Sequence, residues 1–204
     1  MQEKNNDFRI LGRISVFLVI ALFAIAGASA QTVQTVNPVI ATLAGTFQKP
    51  GFITSAGQTS DAAIVKVLAN TKLKLGFDYD IMAKPEVVTG AKTLVLVLGA
   101  SNKGLGSAGL SFEQEMERVK KVIGAAQNAG VKIISMHTGG SSRRGDLSNA
   151  IIELCIPVSS VVIVVEEGNK DGFFTELCSK HSIPLQVVPS IAEAGNALKA
   201  LMAP

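Results

Sequence analysis

The chain has 204 residues, of which 48% are hydrophobic, and its formal net charge is +3 at pH 7. This length suits one domain with a sizeable core. Acidic residues nearly balance the basic ones, and no basic stripe interleaved with aromatic side chains occurs, so the composition argues against nucleic-acid binding.

The first thirty residues have the pattern of a secretory signal peptide. Lys4, Arg9 and Arg13 precede an uncharged run over residues 14–26, and Ala28-Ser29-Ala30 matches the A-x-A cleavage pattern. The alternative is an uncleaved anchor helix, but the run is shorter than the roughly 18 apolar residues that favour a membrane span. We therefore expect cleavage after Ala30, export to the periplasm or the extracellular space, and no membrane insertion afterwards.

Residues 31–48 are rich in Thr and Gln, which predicts a tether, with at most a short edge element, before a single domain over residues 49–204. In that domain, short apolar runs alternate with segments that carry apolar residues at a spacing of three and four. The runs 93–98 and 161–165 are apolar without alternation, which is typical of strands covered on both faces in a parallel sheet. The pattern predicts an α/β class: one three-layer sandwich around a mostly parallel sheet of about five or six strands, in the flavodoxin-like (Rossmann-like) order 2-1-3-4-5.

The same pattern predicts which side chains fill the core and where the helices lie. Six residues of the central strands should be almost fully buried: Leu96, Val97, Ile133, Ile134, Ile163 and Val164. A helix over 60–75 should bury Ala63, Ile64, Val67 and Leu68, and "FDYDIM" (77–82) should be an outer strand. A helix over 111–129 should begin with a capping box, Ser111 with Gln114, and end at Gly130; further helices are expected over 146–155, 172–181 and 191–201.

The segment "LGASNKGLGSAG" (98–109, the glycine segment) contains Gly104-x-Gly106-x-x-Gly109 after an apolar run. Five residues separate that run from Gly104, and the following strand ends in His137 rather than an acidic residue, so a dinucleotide fingerprint is not matched. A phosphate-binding loop is excluded because Leu105 stands where Lys is required. We expect this loop to help bind a small anion together with the other strand-end loops, with the helix beginning only after Gly109. The alternative is that the glycines only let a long loop fold tightly. No cofactor is expected.

Four polar loops should meet at the carboxyl edge of the sheet, where ligands bind in open parallel sheets: "TSAGQTSD", "GASNKGLGSAG", "HTGGSSRRGD" and "EEGNKDG". Small polar loops that lead into helices offer N–H groups to an anion, and Lys103, Arg143, Arg144 and Lys170 could assist. The alternative is an ordinary solvated rim. The candidate ligand-binding residues are Ser55, Gly57, Gln58, Ser101, Asn102, Lys103, His137, Thr138 and Arg143.

His137 is the one plausible general base, because it lies at the end of a strand facing the expected crevice. Asp61, Asp146 or Asp171 could orient it, and Ser55, Ser101 and Ser141 are candidate hydroxyls, although none lies in a G-x-S-x-G turn. A hydrogen-bonded structural histidine is the alternative.

Cys155 and Cys178 could pair in an oxidising compartment or could be two buried thiols. Neither of the two histidines falls at a metal-ligand spacing from them, so no metal site is expected.

Taken together, the four loop sequences "ITSAGQTSD", "LVLVLGASNKGLGSAG", "MHTGGSSRRGDLS" and "VVEEGNKDGFFT" resemble a family of small exported bacterial proteins without an assigned function. The resemblance covers residues 48–200 and implies a Rossmann-like or flavodoxin-like domain behind a signal peptide; it assigns no site residue. Three functions stay open: a binding module for a small anionic solute, serving a transporter or sensor protein; an interaction or structural domain; and a hydrolase or transferase that uses His137.

Overall fold

A computed structural model describes residues 38–204. The predicted signal peptide and the first part of the predicted tether lie outside the described residues. Six parallel strands form one sheet in the order β2-β1-β3-β4-β5-β6, which confirms the predicted fold class. The strands are β1 (Gly51–Ala56), β2 (Asp78–Tyr79), β3 (Thr93–Leu98), β4 (Lys132–His137), β5 (Val161–Val165) and β6 (Leu185–Val188).

Helices cover both faces of the sheet and make the outer layers of the sandwich. They are α1 (Pro38–Leu43), α2 (Asp61–Val67), α3 (Pro85–Val88), α4 (Asn102–Ala108), α5 (Phe112–Asn128), α6 (Asp146–Cys155), α7 (Phe173–His181) and α8 (Ile191–Leu201). The helices α5, α6 and α7 pack on one face, and α1, α2 and α8 pack on the other. The capping box at Ser111 and the left-handed Gly130 bound α5 as predicted.

The two faces alternate along each strand, which explains why β3 and β5 are apolar throughout. Leu96 and Ile133 belong to the core under α5 and α6, whereas Val97, Ile134 and Ile163 belong to the core under α2 and α8. All six residues predicted to fill the centre of the sheet are at most 1% exposed. The parallel arrangement therefore brings the carboxyl ends of all strands to one edge.

The prediction for the buried face of the first domain helix was wrong. The structure ends α2 at Val67 and continues as a π-helical turn over Leu68–Lys72, and it buries Ala62, Val65 and Ala69. Ile64 and Val67 are 43% and 47% exposed. The small alanines face the sheet because they permit close packing, a preference that a count of large aliphatic side chains does not detect.

Residues 38–48 contain regular structure where the sequence predicted a tether with at most an edge element. Helix α1 buries Ile40, and Phe47 forms a parallel bridge with Met202 and is 1% exposed. This segment therefore packs against the C-terminal end of the domain.

Both cysteines are buried thiols without a disulfide. Burial raises the pKa of Cys155 and raises the pKa of Cys178 to about 11, so both thiols stay protonated near neutral pH. Among residues 38–204, no helix has the length and apolar character that crossing a bilayer requires.

Truncation of Ile134 to Ala should lower the free energy of unfolding by about 2–5 kcal/mol, because the side chain is fully buried and leaves a cavity. Ile64→Ala is the matched control and should change it by less than about 0.5 kcal/mol, since Ile64 is 43% exposed. Urea unfolding measures both. A larger loss for Ile64→Ala would contradict the observed orientation of α2.

Candidate functional site

The loop after β1 is held by a buried ion pair in α5. Glu115 is fully buried; its Oε1 accepts from the Gly57 amide at 2.8 Å, and its Oε2 accepts from Gln58 Nε2 at 3.1 Å. Arg118 donates to both carboxylate oxygens, at 2.7 and 2.8 Å, and to the Ser55 carbonyl at 2.6 Å. The Glu115 carboxylate, the Arg118 guanidinium and the two donors from the loop are therefore all hydrogen-bonded. These bonds make the path of residues 55–58 rigid.

The loop after β3 fits tightly against the loop after β1. Gln58 has a left-handed φ of 59° and pairs with Ala100 in an antiparallel bridge. Gly57 also has a positive φ, 105°, and a side chain there would collide with the Gly99 carbonyl. The Ser101 amide donates to the Gly57 carbonyl at 3.3 Å. The two loops thus form one wall at the carboxyl edge of the sheet.

The glycine segment is largely helical, which corrects the predicted loop. Ser101 caps α4 by accepting from the Gly104 amide at 3.0 Å, and Gly109 ends the helix in the left-handed conformation. A side chain at Gly104 would collide with the Gln58 carbonyl, whereas Gly106 has open space beside it. The first glycine therefore serves a close approach between backbones rather than a phosphate.

An open cleft of about 580 Å³ lies beside this wall. Three of the four predicted loops contribute to it, together with the end of β2. The lining residues are Gln58, Ser60, Ile81, Met82, Ser101, Lys103, Gly104, Ser107, Ala108 and Arg143. Four of the predicted ligand-binding residues, Gln58, Ser101, Lys103 and Arg143, are thus brought together.

The other five predicted ligand-binding residues do not line the cleft. Ser55 is buried and its hydroxyl accepts from the Thr59 amide at 2.9 Å, and the Gly57 amide is bound to Glu115. Asn102 is exposed on α4 outside the lining, and His137 and Thr138 are buried.

The sequence analysis missed Ile81 and Met82. The parallel-edge rule, applied to the predicted outer strand "FDYDIM", would have found them, because the end of that strand reaches the same edge.

Two of the four basic residues that were expected to bind an anion form ion pairs within the protein instead. Arg144 donates to the Gly168 carbonyl at 2.7 Å and to Asp171 at 3.2 Å, and its guanidinium lies 4.4 Å from the centre of the Phe173 ring. Lys170 pairs with Glu167. In the part of the chain that the structure describes, Lys103 and Arg143 have no ion pair, and both line the cleft.

His137 is sealed inside the protein at the end of β4. It is fully buried, and its ring lies 5.2 Å from that of Phe174. Its Nδ1 is 2.9 Å from the Leu98 carbonyl, which can only accept, so Nδ1 holds the proton and Nε2 carries the lone pair. Burial is the largest effect and lowers the pKa of His137. The Leu98 hydrogen bond and then Asp61 raise this pKa by less, and Arg144 makes the smallest contribution, which lowers it.

This arrangement favours a structural role for His137 over that of a general base. The imidazole does not line the cleft, and among its proposed orienting partners Asp171 is paired with Arg144. Asp61 is the one proposed partner whose charge acts on the imidazole and is not used in an ion pair among the described residues.

Replacement of Gly104 by Ala should destabilise the domain, because the added methyl group meets the fixed Gln58 carbonyl; we expect a loss of about 1–3 kcal/mol, typical of overpacking. Gly106→Ala in the same helix is the control and should gain about 0.5–1 kcal/mol from its helix propensity. Thermal and urea unfolding of both variants test this. Equal changes in stability in the two variants would contradict the close approach of Gly104 to the Gln58 carbonyl.

Acidification should destabilise the protein through His137. Its folded-state pKa is lowered, so below an unfolded pKa of about 6.5 the unfolded state takes up a proton that the folded state does not. The free energy of unfolding should therefore fall with decreasing pH below about 6.5, by at most about 1.4 kcal/mol per pH unit from this group, until the pH reaches the folded-state pKa.

Urea unfolding of His137→Asn between pH 7.5 and 5 should show a shallower loss of stability than the wild type. His181→Asn, which removes an exposed imidazole, is the control and should leave the slope unchanged. If the free energy of unfolding of His137→Asn depends on pH as steeply as that of the wild type, the pH dependence does not come from His137.

Comparison with known proteins places this fold and cleft in a family. No curated protein matches the chain. A family model described as a domain of unknown function, DUF6305, matches residues 48–202, which contain the whole sheet and every residue that lines the cleft. The chain belongs to the DUF6305 family.

Proposed function

We propose that this protein binds a small solute with an anionic group in the cleft at the carboxyl edge of the sheet. In this proposal residues 1–30 direct export, and the domain acts in the periplasm or outside the cell, serving a transporter or sensor protein. The proposal concerns binding rather than catalysis, because the lone pair of His137 is buried and does not face the cleft.

One observation carries the proposal: the two basic residues that line the cleft, Lys103 and Arg143, have no charged partner among residues 38–204. By contrast, Arg118, Arg144 and Lys170 near this edge are each paired with a carboxylate. Two like charges that converge on one concave surface attract an anion. Ser60 and Ser107 add hydroxyl groups to the same wall.

The cleft also has an apolar side. Ile81 and Met82 follow β2, and Ala108 closes α4. A solute that fits both sides carries an apolar portion next to its anionic group, since burial of that portion supplies binding energy that inorganic ions lack. A branched carboxylate such as 4-methylpentanoate has these two parts.

Calorimetry should therefore detect binding of 4-methylpentanoate, and weaker binding of phosphate, sulfate and acetate, to residues 31–204. Lys103→Ala and Arg143→Ala should each weaken carboxylate binding about tenfold or more, because each removes a hydrogen bond to a charged group worth about 1.5–3 kcal/mol. Lys120→Ala removes the same charge from an exposed position on α5 and should leave the affinity unchanged.

If none of these four anions gives a heat of binding, the proposed function is refuted. An equal loss of affinity in Lys120→Ala and Lys103→Ala would show that net charge rather than the cleft attracts the anion. In either case an interaction domain becomes the better interpretation of the polar loops.

A further inference from the structure

Three buried side chains next to the cleft each keep one polar atom without a protein partner. The atoms are Asp61 Oδ2, His137 Nε2 and Thr138 Oγ1, and their residues are 4%, 0% and 4% exposed. A buried polar atom without a hydrogen bond costs about as much as the bond itself, so native proteins rarely leave one unmatched. We call Asp61, His137 and Thr138 the inner niche.

Gly139 follows Thr138 in the chain, and its backbone lies close to Asp61 and to Gly168, which packs against His137. A methyl group on Gly139 would lie 3.0 Å from Asp61 Oδ2. A methyl group on Gly168, the residue that closes the other side, would lie 3.0 Å from His137 Nε2 and 2.6 Å from the Gly139 carbonyl oxygen. Thr138 lies between His137 and Gly139 in the chain. Asp61 Oδ2 and His137 Nε2 therefore both lie near the contact between Gly139 and Gly168.

The inner niche is chemically suited to a hydrogen-bond donor. The Asp61 carboxylate can only accept, and Nε2 of His137 presents a lone pair because Nδ1–H donates to the Leu98 carbonyl. Asp61 also lacks an ion pair among residues 38–204, although it is 4% exposed. A buried carboxylate is normally matched by a positive group, so the best complement is a donor with positive charge.

A primary ammonium group fits this description better than a divalent metal ion. It has three N–H donors and a positive charge, which together match the unpartnered oxygen of the Asp61 carboxylate. A protein metal site usually supplies three or more strong ligands, whereas the described residues contain no cluster of three His, Cys, Asp or Glu side chains.

The inner niche and the cleft share a wall. Asp61 directly follows Ser60, which lines the cleft, and the Arg143 side chain packs its Cβ and Cγ against Gly139. Binding of a ligand at Asp61 Oδ2 requires this Arg143 side chain to move away from Gly139. Lys103 lines the same cleft as Ser60, the neighbour of Asp61 in the chain.

We propose that the solute is a zwitterion of the amino-acid class, whose ammonium group is bound by Asp61. This inference rests on the proposed function, which assigns the anionic group to Lys103 and Arg143. It names Asp61 as the residue that selects an amino acid over the corresponding plain carboxylic acid.

A matched pair of ligands tests the inference. Leucine and 4-methylpentanoate differ in the ammonium group alone, and calorimetry should show that leucine binds residues 31–204 about tenfold more tightly, as expected for a charge-assisted hydrogen bond. Asp61→Asn should remove this preference while it leaves the affinity for 4-methylpentanoate unchanged. Asp146→Asn, an exposed carboxylate on the same edge, should keep the preference.

The outcomes separate the two proposals. If 4-methylpentanoate binds as tightly as leucine, or if Asp61→Asn still prefers leucine, the ammonium assignment is wrong. The proposal that the cleft binds an anion is then unaffected. If neither ligand binds and the inorganic anions also give no heat of binding, the proposed function is wrong and the ammonium assignment is wrong with it. Stabilisation of the wild type, but not of Asp61→Asn, by zinc or manganese ions in the absence of leucine would overturn the ammonium assignment in favour of a metal site.

Circular dichroism first establishes that Asp61→Asn is folded. If it is not, Asp61→Ser provides the second test, because it removes the carboxylate and keeps a small polar side chain at the start of α2. It should also remove the preference for leucine, and an unchanged preference would count against the inference.

Discussion

The cleft depends on one carboxylate that the fold removes from water. Glu115 is fully buried, and a buried charge persists only where hydrogen bonds and an opposite charge replace its hydration. Arg118 supplies the charge, and the Gly57 amide and the Gln58 side chain supply two further donors. The requirement to satisfy one side chain of α5 therefore fixes the path of the chain as it leaves β1.

That path determines how an anion can be recognised. The backbone amides of Gly57, Thr59 and Gly104 are bound within the protein, by Glu115, Ser55 and Ser101. Rigid amides are the groups that phosphate-binding loops use, and here they are already occupied. In the proposed function, recognition therefore falls to the long side chains of Lys103 and Arg143, whose attraction for an anion is sensitive to salt and tolerant of ligand shape.

The sheet could be predicted from the sequence because buried parallel strands such as 93–98 are continuous apolar runs, whereas the strand order came from analogy with flavodoxin-like folds. The capping box at Ser111 marked the start of α5. The site was harder to predict. Helix α4 is rich in glycine and has weak helix propensity, so tertiary contacts at Gly104 decide its conformation. Glu115 lies four residues before Val119, on the buried face of α5, but a carboxylate at such a position is normally solvated. Its burial depends on Arg118 and on the donors of the loop after β1.

The cleft and the inner niche place opposite charges a short distance apart without letting them cancel. The Arg143 side chain and Asp61 Oδ2 both lie beside Gly139, yet Arg143 and Asp61 form no ion pair among the described residues. A plain anion satisfies only Lys103 and Arg143, and a plain cation satisfies only Asp61. A ligand that carries both charges would be attracted by both and would replace the hydration of both sites in one binding event, which is the physical reason for proposing a zwitterion.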